Sequence, residues 1–167
     1  MNIRRAFLTL LGGVALACCA PVATPAAQEG PVMITLTRSA CFGFCPAYRV
    51  TISGDGEVVY VGERHVNVVG ERRARIPQAD VQALLRRFEE IGFNDLRDEY
   101  RAHVTDLPTY TITLERDGQR KTVVDYAGPS AGMPRAVRDL EDEIDRVAGT
   151  AQWVLRDGQP VSERPRP

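Results

Sequence analysis

The stretch AYRVTISGDGEVVYV, residues 47–61, predicts a β-hairpin. Its first half alternates apolar and polar residues, with Tyr48, Val50 and Ile52 on one side of the strand. The GDG sequence at 54–56 is typical of a tight turn, and a second strand follows it. A hairpin of this kind has one apolar face, which another layer of the fold must cover.

Two amphipathic helices are predicted to supply that cover. Pro77 opens the first helix and Gly92 ends it, while Pro134 and Gly149 bound the second. Each helix has an apolar stripe at helical spacing. The stripes are Val81, Leu84, Leu85, Phe88 and Ile91 in the first helix, and Val137, Leu140, Ile144 and Val147 in the second.

Further strands surround the hairpin. Residues 32–37 alternate in the same way, residues 64–69 extend the hairpin as a further strand, and a second hairpin turns at Asp117-Gly118. The predicted fold class is α+β, an antiparallel sheet built from hairpins with two amphipathic helices packed on one face. Two strand-turn-strand-helix repeats would explain why Asp55-Gly56 and Asp117-Gly118 lie 62 residues apart. The alternative is that this order recurs by chance.

The N-terminus has the features of an export signal. Arg4 and Arg5 precede a run of uncharged, mostly apolar residues at 6–17, which is too short for a membrane-spanning helix. The run ends in Ala15-Leu16-Ala17-Cys18, which resembles the lipobox of bacterial lipoproteins. Residues 1–17 are therefore predicted to be a signal peptide, and Cys18 a lipidation site. With lipidation the protein is anchored on the periplasmic side of a bacterial membrane; with ordinary cleavage it is secreted and soluble.

Composition sets the remaining boundaries. Residues 18–31 are rich in Ala and Pro and are predicted to be a flexible tether, residues 32–155 a single α+β domain, and residues 156–167 a disordered tail.

The net charge of −1, from 21 basic and 22 acidic residues, excludes a strongly basic nucleic-acid binder and a highly charged disordered chain. We expect no nucleic-acid partner, and contact with a membrane through the lipid anchor.

The candidate chemistry lies in the sequence CFGFCP at residues 41–46. In an exported domain an even pair of cysteines favours a disulfide between Cys41 and Cys45, and Gly43 gives the loop the freedom to close. The alternative is metal or thiol-redox chemistry, because two thiolates suit copper(I) and His65 and His103 are available as further ligands. Apart from copper in that alternative, no cofactor is predicted.

Two other polar groupings have both a functional and a structural interpretation. Tyr100, Asp106 and Tyr126 could line a pocket with Asp106 as an acid or base, but a loop-capping aspartate beside core-edge tyrosines is the simpler interpretation. The acidic run at 139–145 could bind a cation, but such a run is usually the solvated face of a helix. Neither grouping forms a catalytic constellation, so no catalytic residue is predicted.

Several short motifs together resemble a known family. They are Cys41-x-Gly43-x-Cys45-Pro46-x-Tyr48, Asp55-Gly56, Thr105-Asp106-x-Pro108, Lys121-x-Val123-x-Asp125-Tyr126-x-Gly128, and Leu140-Glu141 through Ile144-Asp145 to Trp153. This combination resembles the bacterial family known as domain of unknown function 6438, over about residues 32–155. The resemblance implies an exported bacterial domain and adds no catalytic residue.

The sequence thus predicts a non-enzymatic binding or structural module of the cell envelope, whose partner is an unknown envelope protein or component. The alternative is a copper-binding or thiol-redox protein that uses Cys41 and Cys45. An enzyme is the third interpretation, and no residue pattern indicates a substrate for it.

Overall fold

The computed structural model describes residues 31–161, which form one sheet covered by helices. The predicted signal peptide, Cys18, nearly all of the tether and residues 162–167 lie outside this range. The strands are β1 (Met33–Arg38), β2 (Ala47–Ser53), β3 (Glu57–Arg64), β4 (Gly70–Arg75), β5 (Glu99–Arg101), β6 (Tyr110–Arg116) and β7 (Gln119–Tyr126). The helices are α1 (Gln78–Glu90), α2 (Arg135–Ala148) and the short α3 (Ala151–Val154), with single 3₁₀ turns at Phe93–Asp95 and Gly128–Ala131.

The strand order is β4-β3-β2-β1-β6-β7-β5, so the first strand of the domain lies at the centre of the sheet. Each pair is antiparallel except β5 with β7, which is parallel. The α+β class predicted from the sequence is therefore confirmed, with a parallel edge strand added. The two predicted hairpins, β2-β3 and β6-β7, flank β1 on either side.

Alternation along the strands gives the sheet one apolar face. In β1, Ile34 lies between Ile52 and Leu114, and Leu36 lies between Val50 and Ile112. These side chains are buried in a single core cluster together with the apolar stripes of α1 and α2. Both helices thus cover the same face, as the sequence predicts.

The first helix forms as its sequence indicates. It buries Val81, Leu84, Leu85 and Phe88, and it ends before Gly92, whose φ of 62° is the left-handed conformation that favours glycine. The chain then reverses, so that Phe93 packs edge-on against Phe88 with 4.8 Å between ring centroids. The turn after α1 therefore returns the chain to the core.

Residues 65–69 form a loop, so the predicted strand at 64–69 is wrong in extent. The backbone N–H groups of Asn67 and Val68 donate to carbonyl oxygens of Val154 and Trp153 in α3, at 3.1 and 2.8 Å, instead of to the sheet. The next strand begins only at Gly70. Its sequence GERRAR is mostly exposed and forms one edge of the sheet, while β5 forms the other.

The ends of the described range lie close to the domain. Val32 is buried at the start of β1, and Val161 is buried beyond a turn in which Arg156 pairs with Gln159. Among residues 31–161, no helix has the length and apolar character needed to cross a membrane.

Replacing Gly62 by Ala should destabilise the domain. A Cβ at this position would overlap the backbone carbonyl oxygen of Val68. Because the overlapping atom belongs to the backbone, the clash cannot be relieved by the rotation of a side chain. We expect the free energy of unfolding to fall by about 2 kcal/mol, in the range of other overpacked sites. Urea unfolding followed by the fluorescence of Trp153, the one tryptophan, measures this.

Gly43→Ala is the matched control. Its added Cβ would meet only the Cys41 sulfur, at an ordinary 3.6 Å, so the unfolding midpoint should stay near that of the wild type. Equal midpoints for the Gly62 and Gly43 variants would contradict the close approach of the 65–69 loop to β3.

Candidate functional site

Two loops meet at one end of the sheet and form what we call the loop surface, residues 39–46 and 102–109. The first loop joins β1 to β2, and the second joins β5 to β6. Ser39 N–H donates to the Thr109 carbonyl at 2.9 Å, and Thr109 N–H donates back to Ser39 Oγ at 2.8 Å. Phe42 N–H donates to the Asp106 carbonyl at 3.2 Å. The loops are therefore joined at two places, Ser39 with Thr109 and Phe42 with Asp106.

A disulfide closes the first loop. Cys41 and Cys45 are bonded, with their Cα atoms 5.5 Å apart and three residues between them. This agrees with the disulfide predicted from the sequence. Because the closed ring is small, its entropic stabilisation is only about 2 kcal/mol, and its main effect is to restrict the loop conformation.

The loop surface concentrates exposed apolar side chains. Phe42 is 89% exposed and Phe44 is 53% exposed, and Val104 and Leu107 of the second loop are also exposed. Of six large apolar side chains exposed within residues 31–161, four lie here. A cluster of this kind is a common mark of a binding site on an otherwise polar surface.

The two histidines proposed as copper ligands have different surroundings. His65 lies in the 65–69 loop with its ring 5.2 Å from that of Phe44, edge to face, and His103 lies exposed in the second loop. In the part of the chain that the structure describes, no group of three His, Cys, Asp or Glu side chains is arranged to hold a metal ion. Both cysteines are engaged with each other in the disulfide.

The predicted pocket residues are held in separate contacts. Tyr100 is buried on β5 and its hydroxyl accepts the Arg97 N–H at 3.3 Å, while Tyr126, the β7 residue paired with Arg101, lies beneath the Arg101 guanidinium. Asp106 is exposed on the loop surface, where its carboxylate accepts the Thr105 hydroxyl at 3.0 Å. The three residues thus make three different contacts, and the loop-capping role of Asp106 stays a prediction.

Beneath the loop surface lies a group of charged and aromatic side chains that we call the charged cluster. It was not predicted from the sequence. Its strand residues stand where β1, β2, β6 and β7 reach the loops, and α2 contributes the rest. The members are Arg38, Tyr48, Tyr110, Asp125, Arg138, Glu141 and Asp145.

Asp145 is the acceptor for three different elements. Arg38 donates through Nε at 2.8 Å and approaches through Nη2 at 2.7 Å, and the Tyr48 hydroxyl lies 2.8 Å from the same carboxylate. Thr150, just after α2, donates its hydroxyl at 2.8 Å. Burial of the Tyr48 hydroxyl, together with the Asp145 charge, raises the pKa of Tyr48 well above its usual range. The phenol therefore remains a donor at every physiological pH.

The second half of the cluster contains a pair of buried carboxyl groups. Asp125 and Glu141 are each only 1% exposed. Asp125 forms an ion pair with Arg138 at 2.8 Å and accepts the Gly128 N–H at 2.6 Å, and the Arg138 guanidinium lies over the Tyr110 ring. Arg138 reaches Glu141 less closely, at 3.6 Å.

The buried position of Glu141 favours the protonated form of its carboxyl group. Burial and the nearby Asp125 charge raise the pKa of Glu141 to about 8, against the opposing effects of Arg138 and Arg38. A protonated Glu141 can donate to Asp125, so that two acidic groups occupy one buried position with a single negative charge. Because both groups are shielded from solvent, a substrate has no access to them in this conformation.

The acidic run at 139–145 is thus not simply the solvated face of α2. Glu141 and Asp145 lie one turn apart and point toward the sheet, whereas Asp142 is exposed. The solvated-face interpretation fails for these two residues because their partners come from β1, β2 and β7.

A separate cleft of about 780 Å³ lies between the end of α1 and the β6-β7 hairpin. Its basic side chains are already in ion pairs: Arg116 with Glu89 at 2.7 Å, Arg120 with Glu115 at 2.7 Å, and Lys121 with Asp98 at 2.6 Å. Its charge is therefore balanced within the chain, and the loop surface remains the better candidate site.

Glu141 predicts a dependence of stability on pH. A native pKa of about 8, above the ordinary value of 4.5, means that the folded chain binds this proton more tightly than the unfolded chain does. The stabilisation is complete below about pH 4.5 and is lost as pH rises through about 8. Relative to Glu141→Gln, the wild type should lose on the order of 3 kcal/mol of unfolding free energy between pH 5 and pH 8.5, measured by urea unfolding.

Glu143→Gln provides the control on the same helix, since Glu143 is partly exposed and paired with Arg146. Its pH profile should run parallel to that of the wild type. If the Glu141→Gln profile also ran parallel to the wild type, Glu141 would not hold the proton.

Comparison with known proteins identifies the family of the domain. A family model described as "Domain of unknown function (DUF6438)" matches residues 32–148, from the first strand to the end of α2. No curated protein matches the chain. Positions from the motifs that carried the resemblance, among them Tyr48, Asp125, Glu141 and Asp145, lie in the charged cluster. Since the match covers more than half of the chain, the protein belongs to the DUF6438 family.

Proposed function

We propose that this protein is an exported, membrane-anchored binding module of the bacterial cell envelope, and that the loop surface is its binding surface. The observation that carries the proposal is the exposure of Phe42 and Phe44 on a loop closed by a disulfide. The family match identifies the domain, and the proposed partner is argued from the loop surface.

The exposed phenylalanines support binding for a physical reason. An aromatic side chain in water contributes nothing to folding, yet it can contribute strongly once a partner covers it. The disulfide and the hydrogen bonds to the 102–109 loop restrict the backbone that carries both rings before binding. Since less conformational freedom is lost on association, such a loop binds better than a flexible one.

Export and anchoring are supported by the N-terminal sequence. Arg4 and Arg5, the apolar stretch at 6–17 and Cys18 form the pattern of a lipoprotein signal, and residues 18–31 have the composition of a flexible tether. A disulfide also suits an oxidising compartment outside the cytoplasm. In this proposal Cys18 holds the domain at the periplasmic side of a membrane.

The first test is photocrosslinking in intact cells with the full chain. A photoreactive phenylalanine at position 42 should give an adduct of higher mass after irradiation, because this side chain touches the partner. The same residue at Met33 is the control, since Met33 is also exposed but stands at the opposite end of β1. Cys41→Ser with Cys45→Ser should lower the yield from position 42 several-fold by freeing the loop. Equal yields from positions 42 and 33 would refute the proposed surface.

The second test is native mass spectrometry of the chain as the cell exports it. We expect a protein that starts at Cys18, carries acyl chains, and weighs about two mass units less than the reduced form because of the Cys41–Cys45 bond. Cys18→Ser should remove the acyl mass and release the protein from the membrane fraction. A chain in which the Cys41 and Cys45 thiols are both free and one copper ion is bound would instead establish the metal-binding alternative, and His65→Ala and His103→Ala would then identify the further ligand.

A further inference from the structure

We infer that the envelope component bound by the loop surface is the phospholipid bilayer itself, with Phe42 and Phe44 inserted at the level of the headgroups. This inference rests on the proposed function and names the partner of the same surface. It gives the anchored domain a second, reversible contact with the membrane.

Charge favours a bilayer. No residue from Ser39 to Tyr48 is charged, so the tip of the first loop can leave water without a charged side chain. In the second loop Asp106 is exposed, with its carboxylate accepting the Thr105 hydroxyl, so the part of the surface that can leave water is the tip of the first loop. The apolar side chains of the second loop, Val104 and Leu107, extend the same exposed surface.

Shape points in the same direction. Phe42 projects from a three-residue turn, and at 89% exposure its ring is left almost uncovered by residues 31–161. A protein partner would need a pocket matched to this projection, whereas the fluid interfacial region of a bilayer accepts it without one. Apolar groups on a rigid support insert in this way into the boundary between headgroups and acyl chains.

Two backbone N–H groups of the first loop already have partners within the chain. An N–H group without a partner is costly where water is scarce. The N–H groups of Ser39 and Phe42 donate to carbonyl oxygens of the second loop. These two N–H groups therefore keep their partners when the loop leaves water.

The N-terminal sequence brings the loop within reach of the same membrane. Thirteen residues, 19–31, separate Cys18 from the buried Val32. Fully extended they span at most about 45 Å, while the six residues of β1 separate Val32 from the loop by only about 20 Å. An anchored domain can thus turn its loop surface toward the bilayer, and the anchor keeps the effective concentration of lipid high.

Depth-dependent fluorescence quenching tests this inference. The exported chain carrying Phe42→Trp is combined with vesicles of phosphatidylethanolamine and phosphatidylglycerol whose acyl chains are brominated. The added tryptophan should be quenched several-fold more strongly than that of Met33→Trp, the control at the far end of β1. Trp153 is buried and gives the same background in both variants. Adding Phe44→Asp to the Phe42→Trp variant should abolish most of the quenching while leaving the disulfide formed.

The outcomes separate this inference from the proposed function. Equal quenching of the variants at positions 42 and 33 overturns the bilayer as the partner. If the photoreactive residue at 42 then captures a protein in cells, the loop surface is still the binding surface and only the partner class is wrong. If neither experiment distinguishes position 42 from position 33, both proposals fail.

Discussion

The Asp145 carboxylate is the point at which the helical layer is joined to the centre of the sheet. It accepts hydrogen bonds from Arg38 at the end of β1, from Tyr48 at the start of β2 and from Thr150 after α2. A carboxylate removed from water is tolerated only when its oxygens are satisfied in this way, and removal of one partner leaves the other uncompensated. The ionic contact therefore determines where α2 can lie, whereas the apolar core alone would permit small shifts along the sheet.

The same contact determines the position of the loop surface. Arg38 is followed at once by Ser39, and Tyr110 follows Thr109, so each loop starts or ends next to a member of the charged cluster. Both Arg38 and Arg138 lie over the Tyr110 ring, at 4.4 and 4.9 Å. The loops thus project from a rigid base, and the disulfide restricts the part that the base does not reach.

Local pattern explains what could be predicted from the sequence and what could not. Residues close in the chain determine the two hairpins, the two long helices and the Cys41–Cys45 bond. Each of these features therefore has a recognisable pattern of residue spacing in the sequence. Strand β5 has only three residues and pairs in parallel, so no periodicity could reveal it. The burial of Glu141 could not be predicted, because Glu141 lies on α2 and its partner Asp125 lies on β7, 16 positions earlier, and only the fold brings the two together. The exposure of the Phe42 side chain could not be predicted from its residue type, since phenylalanine is normally buried.

The central position of β1 has a consequence for the order of folding. Its partner on one side, β2, follows within a short loop, but on the other side Arg38 pairs with Tyr110, 72 residues later in the chain. Closing so long a segment is slower than forming a hairpin, because more chain entropy is lost before any contact compensates for it. In a chain that emerges N-terminus first, β1 to β4 can assemble early, while one long edge of β1 stays unpaired until β6 arrives. During that interval the strand at the heart of the finished sheet is an open template for other chains, and the domain is then most prone to aggregate.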